Sequence, residues 1–235
     1  MIPAPTPAPI WIPGPQGPIP ALLVGDPRRS RASIVLGHGL TGTMRSQWPE
    51  AQRLAASGFA TLLPEAPHHG LRTDGLVERM ASATGTEARG IFLDLLEAWA
   101  DEIRALVDHL VSLGASRIAA AGVSMGGHLA LAAPGREPRI QAVVAFNADP
   151  VWDNRPGSPH LDPAAWAQVP LLAVTADADQ IVPPAPIRMF ASLLNARFGA
   201  DHATSLTYPG GHIMDPADWE AAWLRTLAWL ERRFP

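Results

Sequence analysis

Short apolar runs alternating with longer segments of helical period constrain this chain more than any other feature of its sequence. Residues 33–37 form a continuous apolar run of the kind buried on both faces. Residues 60–63, 117–122, 140–146, 171–175 and 205–208 read as further strands. Residues 46–57, 86–113, 125–133, 186–198 and 216–234 read as helices between and after them. On the 86–113 segment Ile91, Leu95, Ala98, Trp99, Glu102, Leu106, Leu110 and Leu113 recur at helical spacing. On the last segment Trp219, Trp223, Leu227 and Leu230 form one stripe, with Pro216 near its start. Gly58, Pro64 and Gly114 close elements, and the stretch from Pro134 to Pro138 is expected to break the helix before it. Such alternation implies an α/β protein with a mostly parallel sheet covered on both faces. Two opening strands, 10–12 and 19–24, are joined by a turn through Gly14 and are expected to form an antiparallel edge. Residues 70–86 and the proline-broken stretch between Phe146 and Leu171 read as loops. The expectation is one domain over residues 1–235, with residues 1–20 as a Pro-rich arm and first edge strand and with no large lid.

Composition narrows the function classes. The 235 residues are 47% hydrophobic and 17% charged, enough apolar text for a sizeable core and too little charge for a solvated, disordered chain. The net charge is −4, and all eighteen basic residues are Arg. Mild acidity argues against nucleic acid or an anionic membrane as a partner. The chain has no Cys, which removes disulfides, a thiolate nucleophile and Cys-based metal sites. No apolar run has the length of a membrane span, and the N-terminus lacks the pattern of a secretory signal. A soluble, cytoplasmic protein is expected. No His pair with a nearby carboxylate has metal-ligand spacing, so neither a metal nor another cofactor is expected.

The chemistry concentrates in a few turns. Gly122-Val123-Ser124-Met125-Gly126-Gly127 fits Gly-x-Ser-x-Gly, following an apolar strand and opening a helix. A turn that sharp leaves no room for side chains two before and two after the serine, and it lifts the hydroxyl above the sheet edge. A serine needs a base, and His212 stands after the last strand, preceded by Gly210 and Gly211. The base needs an orienting carboxylate. Asp179 is the choice, with Asp177 and Asp149 as alternatives. An oxyanion hole needs backbone donors. Met125 N–H is one, and Leu40 N–H, in the loop His38-Gly39-Leu40-Thr41-Gly42, is the other. His38 is expected to hold that loop rather than act as a base. His128 is expected to pack behind the serine turn, and His68 and His69 either line the site mouth or serve structure.

Together Gly122-x-Ser124-x-Gly126-Gly127, His38-Gly39, Asp179-x-x-Val182-Pro183 and Gly211-His212 resemble the α/β-hydrolase superfamily, in which serine, acid and histidine follow in that order. The Ser-Met-Gly-Gly turn and Pro67-His68-His69-Gly70 are similar to dienelactone-hydrolase and prolyl-oligopeptidase-related esterases. Dienelactone hydrolases carry a cysteine nucleophile, and this chain has Ser124 in that place. The resemblance implies an α/β-hydrolase fold of about eight strands and a serine hydrolase cleaving carboxylic esters. The short stretches 70–86 and between Phe146 and Leu171 leave so little cover that small to medium acyl groups are expected. The partner is then a small-molecule ester. A thioesterase or small-amide or peptide hydrolase with the same triad is the alternative, and a catalytically silent binding protein is the reading outside enzymes.

Overall fold

The computed structural model describes residues 7–235. One sheet of eight strands runs through it, in the order β1-β2-β4-β3-β5-β6-β7-β8. The strands are β1 (Ile10–Ile12), β2 (Ile19–Val24), β3 (Ser33–Gly37), β4 (Ala60–Pro64), β5 (Ile118–Val123), β6 (Ile140–Phe146), β7 (Leu171–Ala176) and β8 (Ala203–Tyr208). β1 pairs antiparallel with β2, and β2 antiparallel with β4. Every other pairing is parallel. The expected antiparallel edge is present, and the first six residues of the expected arm lie outside the described residues.

Seven helices flank the sheet among the described residues: α1 (Trp48–Ala56), α2 (Leu76–Ser82), α3 (Gly85–Ala100), α4 (Ile103–Ser112), α5 (Met125–Arg136), α6 (Ala185–Phe198) and α7 (Pro216–Arg233). Alternation along the strands divides the core into two layers. Ile34 and Leu36 of β3 pack with Leu54 of α1 and Trp223 and Trp229 of α7 on one face. Val35 packs with Trp99, Leu106, Leu129 and Phe190 from α3, α4, α5 and α6 on the other. Among the described residues this is the α/β-hydrolase architecture, with no lid domain.

Three segments differ from the sequence expectation. The 86–113 helix is two, α3 and α4, meeting at Asp101 and Glu102. Glu102 N–H donates to the Trp99 carbonyl three residues back, so the ladder tightens there while the dihedrals stay near helical values and the stripe runs on. Residues 70–86 are more than loop: a 3₁₀ turn at Gly70–Arg72 and helix α2 lie there. No residue of α2 is fully buried, which is why its periodicity is weak in the sequence. Helix α5 continues through Pro134 to Arg136, two residues past a proline that has no N–H to give the ladder.

Candidate active site

The carboxyl end of β5 meets the start of α5 at Ser124, whose φ is 53° and ψ −116°. L-residues rarely adopt positive φ, so neighbouring contacts must hold the turn. Ser124 N–H donates to the Phe146 carbonyl at 2.8 Å, and His128 N–H donates to the Ser124 carbonyl at 2.9 Å. Close packing demands the flanking glycines. A Cβ on Gly122 would overlap the Gly126 carbonyl, and one on Gly126 would overlap the Gly37 carbonyl.

His212, in the loop between β8 and α7, places Nε2 2.9 Å from Ser124 Oγ. Its Nδ1 lies 2.7 Å from Asp179 Oδ2. Asp179 follows β7 and is 4% exposed. Its other oxygen accepts the N–H groups of Ile181 and Val182, each at 2.9 Å, so the loop fixes the carboxylate before it meets the imidazole. Asp177 instead points outward to an ion pair with Arg188 at 2.5 Å. Asp149 binds Val151 N–H at 2.7 Å, and burial pushes its carboxyl above the usual range.

Leu40 and Ser124 line one cleft of about 460 Å³ with Met80, Phe92, Ile181, Val182 and Pro183. Arg89, Asp149 and Asp153 supply its charged side. Among the described residues neither Leu40 N–H nor Met125 N–H donates to another group. The Gly39 backbone comes so near the serine that a Cβ there would stand 3.8 Å from Ser124 Cβ. His38, 1% exposed, sets Nδ1 2.8 Å from the Gly39 carbonyl and accepts Ala66 N–H on Nε2 at 3.1 Å. It therefore braces the loop. His128 is 2% exposed and lies behind the turn, its Nδ1 against the Ser124 carbonyl and its Nε2 accepting Asp149 N–H. Burial drops its pKa to about 4, so the ring is neutral at ordinary pH. Trp152 and Trp166 are core residues rather than cleft walls.

Asn147 escaped the sequence reading. It follows β6 with φ 45°, its side chain donates to the His212 carbonyl at 2.9 Å and its Oδ1 accepts Ala176 N–H at 3.2 Å. It ties the loop of the histidine to the strand of the acid. The one signal was a polar residue closing an otherwise apolar strand. Among the described residues no three His, Cys, Asp or Glu side chains gather as a metal site would need, and no helix is long and apolar enough to cross a membrane.

The dienelactone hydrolase family model matches residues 19–234. The chain belongs to the dienelactone hydrolase family. It is 28% identical over 247 residues to YitV of Bacillus subtilis, a protein whose name assigns it provisionally to the esterases. That match covers 89% of this chain and 92% of YitV. Among solved structures, TT1662 of Thermus thermophilus superposes with a TM-score of 0.75 at 20% identity, covering 96% of this chain and 97% of that one. XC6422 of Xanthomonas campestris, described as an α/β serine hydrolase without a lid, gives 0.68 at 17% identity over 97% and 95%. Like the family it belongs to, the chain is a hydrolase.

Proposed function

We propose that this member of the dienelactone hydrolase family cleaves carboxylic esters of small to medium acyl groups through an acyl-enzyme on Ser124. The observation that carries the reading is the unbroken hydrogen-bonded chain Ser124–His212–Asp179. His212 Nε2 accepts the Ser124 proton as Oγ attacks the acyl carbonyl. Asp179 fixes the tautomer that leaves Nε2 free and stabilises the imidazolium. Leu40 and Met125 N–H groups meet the oxyanion of the tetrahedral intermediate. The imidazolium protonates the departing alcohol. Water, deprotonated by the same ring, then attacks the acyl-enzyme and releases the acid and Ser124.

The test is a rate comparison on p-nitrophenyl acetate. Ser124→Ala should lose roughly 10⁴- to 10⁶-fold in kcat while keeping its circular dichroism. Turnover near the wild-type rate would overturn the assignment.

A further inference from the structure

We propose that His69 is a positioning residue for the oxyanion hole, donating its Nε2–H to the Leu40 carbonyl and so aiming the Leu40 N–H at the reacting acyl group. The inference rests on the triad and oxyanion reading above. His69 touches no reacting atom and acts through Leu40.

Leu40 is flanked by two peptide planes. The first joins Gly39 to Leu40, and its two ends are the Gly39 carbonyl and the Leu40 N–H. The Gly39 carbonyl accepts Gly42 N–H at 2.8 Å and faces His38 Nδ1 at 2.8 Å. A plane held by its carbonyl sends its N–H the opposite way. His38 alone leaves the second plane, from Leu40 to Thr41, free to turn and drag Leu40 with it. His69 Nε2 sits against the carbonyl of that plane. With both planes pinned, neither backbone torsion of Leu40 can relax.

The brace is built from one buried unit. His69 is 4% exposed, and its ring meets the His38 ring edge-on at 5.3 Å between centroids. The neighbouring Glu65, 1% exposed, accepts Met44 N–H at 2.9 Å and so holds the far end of the same loop. His69 Nδ1 lies 2.7 Å from the Pro67 carbonyl. A neutral imidazole has one N–H for these two carbonyls. Burial holds the His69 pKa below the ordinary histidine value, and the His38 ring adds to this, while both carbonyls and the Glu65 carboxylate pull the other way. The proposal places the ring proton on Nε2, where it serves Leu40, and Nδ1 then faces the Pro67 carbonyl without one.

Two variants and one spectrum test this. His69→Phe keeps a flat ring without donors, and His69→Gln returns one amide donor. For His69→Phe, kcat should fall about ten- to a hundredfold, since small misplacements of catalytic groups cost up to that much. KM should stay within about twofold. A trifluoromethyl ketone, whose adduct with Ser124 places an oxyanion in the hole, should weaken by the same factor as kcat. The matching methyl ketone should bind as before, and His69→Gln should recover most of the loss. Unchanged kcat and adduct affinity in His69→Phe would overturn the proposal, and so would a loss shared equally by KM and methyl ketone binding. If His69→Phe does not fold, nitrogen NMR of the wild-type ring decides. A proton on Nε2 supports the brace, and a proton on Nδ1 alone overturns it. Ser124→Ala separates this idea from the reading beneath it. An active Ser124→Ala sinks the hydrolase mechanism itself. An inactive Ser124→Ala beside a fully active His69→Phe sinks only the role of His69.

Discussion

Two aspartates two residues apart follow β7, and their hydrogen bonds give them opposite fates. Asp179 holds His212 and two backbone N–H groups, whereas Asp177 holds Arg188 at the surface. Asp179→Asn should therefore cost about 10³- to 10⁴-fold in kcat, because an amide can donate to Nδ1 and favours the wrong tautomer. Asp177→Asn should stay near the wild-type rate. Steady-state kinetics of the pair would refute this if the order were equal or reversed. His128 makes a separate prediction about acid. Its folded pKa of about 4 lies below the ordinary 6.5, so between those values the unfolded chain binds a proton that the folded one refuses. Its contribution is complete above pH 6.5 and is lost as pH falls towards 4, by about 3 kcal/mol. In urea titrations the stability gap between wild type and His128→Phe should narrow by that amount from pH 7 to pH 4. A constant gap would contradict it. The serine turn and the histidine loop were legible because glycines at fixed offsets encode them locally. Asn147 and Glu65 were not, and His69 was marked only as lining the site mouth or serving structure, because their partners lie far away in sequence and only the fold brings them near.

The junction of α3 and α4 shows why periodicity located a helical stripe and missed its break. Glu102 sits on that stripe among leucines and is 0% exposed. Its carboxylate takes both arms of Arg72, at 2.8 and 2.5 Å, and Arg72 also reaches the Glu65 carbonyl at 3.1 Å. Burial pushes the Glu102 carboxyl up, and Arg72 works against that. A buried pair loses heavily when one member goes. Arg72→Met should destabilise the fold by about 3–5 kcal/mol, and Arg72→Met with Glu102→Met should recover much of it. Urea midpoints at pH 7 measure both, and equal stability of wild type and Arg72→Met would contradict a strong pair. The 3₁₀ turn that carries Arg72 was read as loop. Its purpose is a distant carboxylate, and no local pattern announces one.

For the whole molecule, the eight strands and their mostly parallel pairing followed from alternation, because most strands are short apolar runs next to Gly or Pro, whereas their order across the sheet did not. The shape of the cleft did not follow, because it arises where α2, α3 and the loops after β3, β6 and β7 converge. That cleft is about 460 Å³, and Met80 of the short α2 lines it together with Phe92 of α3. On the proposed reading so small a cleft leaves much of a long acyl chain in water, so each added methylene should yield less than the ~0.8 kcal/mol of full burial. Across a series from acetyl to palmitoyl esters of one alcohol, kcat/KM should peak at short or medium length. A steady rise to palmitoyl would show a buried tunnel. The central claim is that Ser124, activated by His212 and Asp179, forms the covalent intermediate. Its most direct measurement is fluorophosphonate labelling followed by intact-mass and peptide analysis. The account predicts one adduct per chain, on Ser124, absent from Ser124→Ala and formed far more slowly by His212→Ala. An adduct on another residue, or undiminished labelling of Ser124→Ala, would contradict it.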